Sequence, residues 1–378
     1  MINMTRIPVT VMRGGTSKGV FINHEEMPVN KSDWEPFLLD IMGSPDQRQI
    51  DGLGGANSLT SKIAIIKKSD LKEADVDYTF AQVSISESLV DFKGNCGNIS
   101  SAVGPYAIEQ GLVQAVEPVT KVRIYNTNTK KVIVAEVEVE NGKVKTEGSC
   151  MIPGVPGTGS PIYLSFENGE GAVTGKLLPT GNAIDLLQTS IGTIKASIVD
   201  VGNPLVFVKA ADIGLKGAEL PHEYTDKQLK LFEEIRSIAA EKAGLAPQDK
   251  ATKLSPAVPK MTIISPPMDH RDGTGREKAA SQMDVLIRMM SMQKPHQTLA
   301  ITGAICTTAA IYTKGTLPSE MVQLKGNTVR LAHPMGIMET SVDLKDGQVN
   351  GIKVVRTARL IFEGFVYTKH TYDVCLSS

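Results

Sequence analysis

The stretch Gly94-Asn95-Cys96-Gly97-Asn98-Ile99-Ser100-Ser101-Ala102-Val103-Gly104 constrains this chain more than any other. A tight polar turn runs straight into small and apolar residues at helical spacing. The pattern predicts a helix over 99–110 that opens just past a cysteine, with Asn98 or Ser100 as its cap. Much later, Leu299-Ala300-Ile301-Thr302-Gly303-Ala304-Ile305-Cys306-Thr307-Thr308-Ala309-Ala310 repeats the same arrangement. Each stretch is preceded by a strand, a tight turn and a second strand, over 9–22 and again over 196–208. The chain therefore reads as a degenerate duplication, with a Gly- and Pro-rich bridge over 150–182.

A length of 378 residues suits two domains with proper cores. Forty basic and 41 acidic residues leave a net charge of −1, with no basic block interleaved with aromatics, which argues against a nucleic-acid partner. Cys96, Cys150, Cys306 and Cys375 lie far apart, with no C-x-x-C pair and no histidine at ligand spacing, so neither a metal site nor a disulfide framework is expected. The N-terminus lacks an apolar signal core, and no apolar run approaches a membrane span. A cytoplasmic protein with no membrane partner is the expectation, and a homo-oligomer stays open.

The chemistry gathers at the turns. A thiol at a helix start, such as Cys96, meets unpaired backbone N–H groups that lower its pKa and can hold a carboxylate or enolate oxygen. The plainer reading is a small buried cysteine in a glycine-rich turn. Arg13-Gly14-Gly15-Thr16-Ser17-Lys18-Gly19 supplies a glycine turn with donors for an anion, although it lacks the P-loop spacing. Lys62 follows a second glycine turn and enters the apolar run Ile63-Ala64-Ile65-Ile66. A surface lysine is the default there; a partly desolvated one would favour its neutral, basic form. Helices are read over 33–42 and 227–245 as scaffold, over 284–292 as methionine-rich core, and in a short piece over 356–362. The loop 265–276 reads as a mobile lid. His296 and His333 read as structural histidines. Two helix starts that faced each other would favour a small dicarboxylate reacting through an enolate, and a symmetric two-cysteine racemase is disfavoured because Thr302 takes the place of Cys96 in the second copy.

Several long motifs stand in order along the chain: Met12-Arg13-Gly14-Gly15-Thr16-Ser17-Lys18-Gly19, Gln49-Ile50-Asp51-Gly52-Leu53-Gly54-Gly55, Thr60-Ser61-Lys62, Asn95-Cys96-Gly97-Asn98, Pro179-Thr180-Gly181-Asn182 and Arg356-Thr357-Ala358-Arg359. In these the sequence resembles the PrpF family, within the diaminopimelate-epimerase-like superfamily. The resemblance implies an α/β (α+β) fold of two similar domains, each a curved mixed β-sheet wrapped around a central helix. It places the first domain at 1–182 plus a C-terminal strand near 364–378, the second at 183–363, and the active site in the cleft between them. It implies a cofactor-independent isomerase that moves a C=C bond in a small unsaturated dicarboxylate, with 3-methylitaconate to 2,3-dimethylmaleate the leading case. Tautomerisation of 4-oxalomesaconate and isomerisation of 2-methylaconitate are the alternatives, and a non-catalytic carboxylate binder is the alternative of another class. The family's catalytic pair carries over to Lys62 and Cys96. Thr16, Ser17, Lys18, Ser58, Asn95, Gly97, Asn98, Asn203, Thr302 and Gly303 are the expected substrate contacts.

Overall fold

A computed structural model describes residues 4–167, 169–323, 326–345 and 348–374. The chain divides into two compact units, Met1–Leu164 with Arg356–Ser378, and Ser165–Val355.

In the first unit, β1 (Arg6–Gly14) and β2 (Ser17–Asn23) form a hairpin, and α1 (Trp34–Met42) leads to β3 (Lys62–Lys68) and β4 (Val76–Val83). The two-residue strand β5 (Val90–Asp91) precedes α2 (Gly97–Glu109), and β6 (Val119–Asn126) with β7 (Lys131–Glu140) follows it. Helix α1 covers one face of the sheet, where Phe37, Leu38 and Ile41 join Ile7, Val9, Val20, Ile22, Ile63, Ile65 and Val83 in one core. The other face curls around α2, which touches β1, β2, β3, β6 and β7 and is buried from Gly97 through Ile108. Strands covered on both faces need no alternation, and that is why Ile63-Ala64-Ile65-Ile66 is continuously apolar.

The second unit contains β8 (Asp185–Thr189), β9 (Gly192–Val201), β10 (Asn203–Lys209), α3 (Asp226–Lys242), β11 (Lys260–Ser265), β12 (Val285–Ser291), α4 (Ile301–Tyr312), β13 (Thr328–His333), β14 (Gly336–Lys345) and β15 (Gln348–Arg356). Helix α3 packs Phe232, Ile235 and Ile238 on Ile198, Val206, Val208 and Ile263, while α4 lies against β9, β10 and β14. After β15 the chain enters β16 (Ala358–Tyr367), which pairs antiparallel with β1 of the first unit's own sheet.

The pairing senses carry the duplication. In the first unit β1–β2 is antiparallel, β2–β3 parallel, β3–β4 antiparallel, β4–β6 parallel and β6–β7 antiparallel. In the second, β9–β10, β10–β11, β11–β12, β12–β13 and β13–β14 follow the same alternation. Each parallel crossover carries a helix, α1 or α3 at the first and α2 or α4 at the second. The molecule is thus α/β, with two similar curved mixed sheets, each wrapped around a central helix.

Two local expectations fail. The methionine-rich run at 284–292 is strand β12, because a short, mostly apolar run buried in a sheet, with Arg288 in its middle, has no alternation to separate it from a buried helix. The segment 356–362 is also extended, running from the end of β15 into β16, where pairing with β1 overrides its helical spacing. The loop 265–276 is anchored: Asp272 accepts hydrogen bonds from Thr274 and Arg276, and the Gly273 N–H reaches Pro334 O at 2.6 Å.

Candidate functional site

Lys62 is the first residue of β3 and is only 7% exposed. Residues paired across strands point to the same face, so Lys62 and Gln82 lie on the α2 side of the sheet while their neighbours Ile63 and Ala81 belong to the α1 core. Lys62 Nζ donates to Gln82 Oε1 at 2.5 Å and lies 5.3 Å from the centre of the Phe80 ring. Both protons of the Gln82 amide are directed at backbone carbonyls, Ser58 O at 3.2 Å and Ser61 O at 2.9 Å. That leaves only the oxygen to face the lysine, so the main chain fixes the orientation of the glutamine and the glutamine fixes the amine. Ser58 thus contributes through its carbonyl. Gln49 braces the loop beneath, accepting from Ser61 Oγ and from the Ala56 N–H. Sequence reasoning passed over Gln82, although a polar residue in phase with Val76, Tyr78 and Phe80 was a usable signal.

Cys96 is the N-cap of α2, with extended backbone angles, and its carbonyl accepts the first helical bond from the Ser100 N–H at 2.9 Å. The Cys96 side chain makes no capping hydrogen bond to this helix. The expected caps are otherwise engaged: Ser100 Oγ donates to Cys96 O, and Asn98 Oδ1 accepts from the Thr16 N–H at 3.3 Å. The first turn, beginning with Gly97, thus presents backbone N–H groups that the Cys96 side chain does not cap. Asn95 ties the turn down, accepting from Ser100 Oγ and from Asn126 Nδ2. The Cys96 thiol is half-buried and not in a disulfide.

Gly14 and Gly15 are glycines because the helix start sits on them. A Cβ on Gly14 would collide with Asn98 O, and one on Gly15, whose φ is +51°, with Asn98 Oδ1 and the Arg356 side chain. The Gly15 N–H and the Arg13 guanidinium both donate to Thr357 O, joining this turn to the β15–β16 junction. Burial pushes the Arg356 guanidinium down to about 9, against a smaller opposing pull from Cys150. Ser17 lies on the α2 face with Gly19, and its hydroxyl is buried without a hydrogen-bond partner among the described residues. Asp91, paired with Gln82, has its Oδ2 in the same condition. Alternation sends Lys18 to the other face beside Val20, and its N–H donates to Leu59 O.

The remaining expected contacts lie in the second unit. Gly202, with φ +71°, leads to Asn203, whose Nδ2 donates to Thr302 Oγ1 at 3.2 Å. The first helical bond of α4 runs from the Ala304 N–H to Ala300 O, so the N-cap is Ala300 and Thr302 is the second helical residue, as Asn98 is in α2. Counted from the helix starts, Thr302 matches Asn98 and Ala300 matches Cys96, one turn-contacting residue for another. Gly303 packs against Met289. Cys306 is wholly buried, its thiol donates to Val199 O, and burial pushes its pKa well up. His296 and His333 each accept a backbone N–H through Nδ1, from Thr298 and from Met335.

A family model described as PrpF protein matches residues 4–369. The chain belongs to the PrpF family. Among PrpF relatives, it is 61% identical to the Bacillus subtilis protein YraM over 98% of this chain and 100% of that one. It is 47% identical to the 3-methylitaconate isomerase of Eubacterium barkeri, covering 98% of this chain and 99% of that one. A crystal structure of methylitaconate-delta-isomerase superposes with a TM-score of 0.82 at 46% identity, covering 97% of this chain and 96% of the other. The fold extends further: a hydroxyproline epimerase from Agrobacterium vitis matches with a TM-score of 0.58 at 12% identity over 98% of this chain and 95% of that one. No helix among the described residues is long and apolar enough to cross a membrane.

Proposed function

We propose that this protein is a cofactor-independent isomerase that converts 3-methylitaconate to 2,3-dimethylmaleate. The observation that carries the proposal is the buried Lys62 amine, held by Gln82 on the sheet face that curls around α2, a helix whose N-cap is Cys96. The PrpF relatives named for methylitaconate support the choice of acid.

The reaction takes a proton from the saturated carbon beside one carboxylate, shifts the double bond inward, and returns a proton to the methylene carbon. A base, a donor and a place for the negative charge of the dienolate are required, and no electrons are exchanged. Lys62 is assigned as the base, Cys96 as the second proton-carrying group, and the N–H groups of Gly97 and Asn98 as the hole for the developing oxyanion. Ser17 Oγ, the Thr16 turn and the Arg356 guanidinium beside Gly15 supply donors and positive charge for a carboxylate.

The test is incubation with 3-methylitaconate in deuterated water, followed by proton NMR. Deuterium should enter the new methyl group as the double bond moves. Intact protein that exchanges no proton of this acid would refute the assignment.

A further inference from the structure

On the α1 side of the first unit's sheet lies a pocket of about 540 Å³ lined by His24, Lys31, Trp34, Ile65, Lys67, Asp77, Thr79, Phe92, Thr127 and Asn128. Register separates it from Lys62. Ile65, Lys67, Asp77 and Thr79 form two cross-strand pairs of β3 and β4 in phase with Ile63 and Ala81, the opposite phase to Lys62 and Gln82. A ligand here would rest on the far side of the sheet from the proposed chemistry.

The lining has two chemical halves. Ile65, Trp34 and Phe92 offer apolar surface, with Ile65 and Trp34 buried at the bottom. Lys31, Lys67 and His24 bring three basic groups, with Lys31 exposed at the mouth. Asp77 is the one acid of the lining and is already engaged, accepting from Ser69 Oγ at 2.6 Å and pairing with Lys67 at 3.5 Å; Lys67 also holds the exposed Asp70 at 3.0 Å, so a ligand's carboxylate competes with Asp70 for this ammonium. Thr79 and Thr127 share a 2.6 Å hydrogen bond that uses one of their two hydroxyl protons; the other has only a 3.5 Å contact to Tyr78 O. The volume falls within the range of small-molecule pockets.

We propose that this pocket is a second ligand site, for a small carboxylate with an apolar body, seated with its body on Ile65, Trp34 and Phe92 and its charge at Lys31 and Lys67. His24 supports the sign of the charge. Burial first, then Lys67 and Lys31, hold its imidazole below the ordinary range, and only Asp77 and Glu25 oppose them. A bound carboxylate would reverse that balance and draw a proton onto the ring, so binding strengthens as the pH falls.

Trp34 is the only tryptophan of the chain, so intrinsic fluorescence reports on this wall directly. The full-length protein is titrated with sodium benzoate and, separately, with neutral benzamide. Benzoate should give a saturable change with a Kd on the order of 1 mM. Benzamide should bind about tenfold or more weaker, and Lys31→Ala with Lys67→Ala should cost benzoate about tenfold. Affinity should rise between about pH 8 and about pH 6. Lys31→Ala alone, at an exposed position, should weaken binding in the same direction without touching the fold. Lys62→Ala should titrate like the parent, which keeps this site distinct from the proposed active site. No saturable change, equal affinity for benzamide, indifference to both lysines, an affinity that falls with acid, or a response that vanishes in Lys62→Ala would each overturn the proposal.

Discussion

Replacing Gln82 with glutamate isolates the protonation state in which Lys62 works. The wild-type amide offers the amine a neutral oxygen at 2.5 Å, with its own protons on Ser58 O and Ser61 O. Glutamate puts a full negative charge at that oxygen. An opposite charge this close favours the charged form by about 1–3 pH units, each worth about 1.4 kcal/mol. If Lys62 acts as a neutral base, turnover rises with pH as the amine loses its proton. In Gln82→Glu that rising limb then moves up by about 1–3 pH units, and the rate near neutrality falls about 10- to 1000-fold but recovers in alkali. The second carboxylate oxygen also faces two carbonyls with nothing to donate, which costs about 1–3 kcal/mol of stability and lowers the melting temperature independently of pH. Gln82→Met is the control: the amine loses its anchor without gaining a charge, so kcat should fall about tenfold with little movement of the limb. The assay is the initial rate by proton NMR across pH. A glutamate variant with the parental pH profile and rate would show that Lys62 does not act as a neutral base held by Gln82, and a faster one would make it a permanent cation.

Other changes separate the remaining roles. Lys62→Ala should remove turnover while leaving 3-methylitaconate binding measurable by calorimetry, and Cys96→Ser should be impaired less, by about 10²–10⁴-fold at most; the opposite ranking would move the base to Cys96. Gly15→Ala places a Cβ at φ +51° against Asn98 and Arg356, and should cost about 2 kcal/mol or more in urea unfolding; an unchanged midpoint would mean that this turn does not constrain the helix start. Iodoacetamide near neutral pH should leave Cys306 unmodified in the native protein, since its thiol is buried and its pKa pushed well up, and label it only after unfolding; mass spectrometry showing native alkylation at Cys306 would contradict the buried second-unit helix.

Much of the fold could be read from local pattern because both units are built from local signals. Glycine turns, small-residue helix starts and apolar runs report on backbone conformation within a few residues, and conformation at that range is set by the residues themselves. The hairpin at Gly15, the helix after Cys96 and the echo of that helix at Thr302 are all of this kind, and the family motifs extend the reading to Lys62 and Cys96. Where the signal was only composition, it failed. The run from Met283 to Met292 is mostly apolar, with Asp284, Arg288 and Ser291 set in it, and nothing in it says whether neighbours will arrive as strands on both edges, as they do.

What the sequence determined by itself was therefore the duplication, the position of the turns and the two candidates, Lys62 and Cys96, for the proposed reactive pair. Tertiary structure decided which groups hold that pair. Gln82 stands 20 positions from Lys62 and Asn98 stands 82 from Thr16, yet each contact is made. Such partners are chosen by strand register, which sets faces by parity and neighbours by pairing, and a one-residue slip would have turned Gln82 into the α1 core. The same parity carried Lys18 away from Ser17 although the two are adjacent in the chain. Side chains separated by a sheet are distant however close they lie in sequence, and those facing one helix start are neighbours however far apart, because burial of the apolar faces against α1 and α2 fixes the register before any polar group can choose its partner.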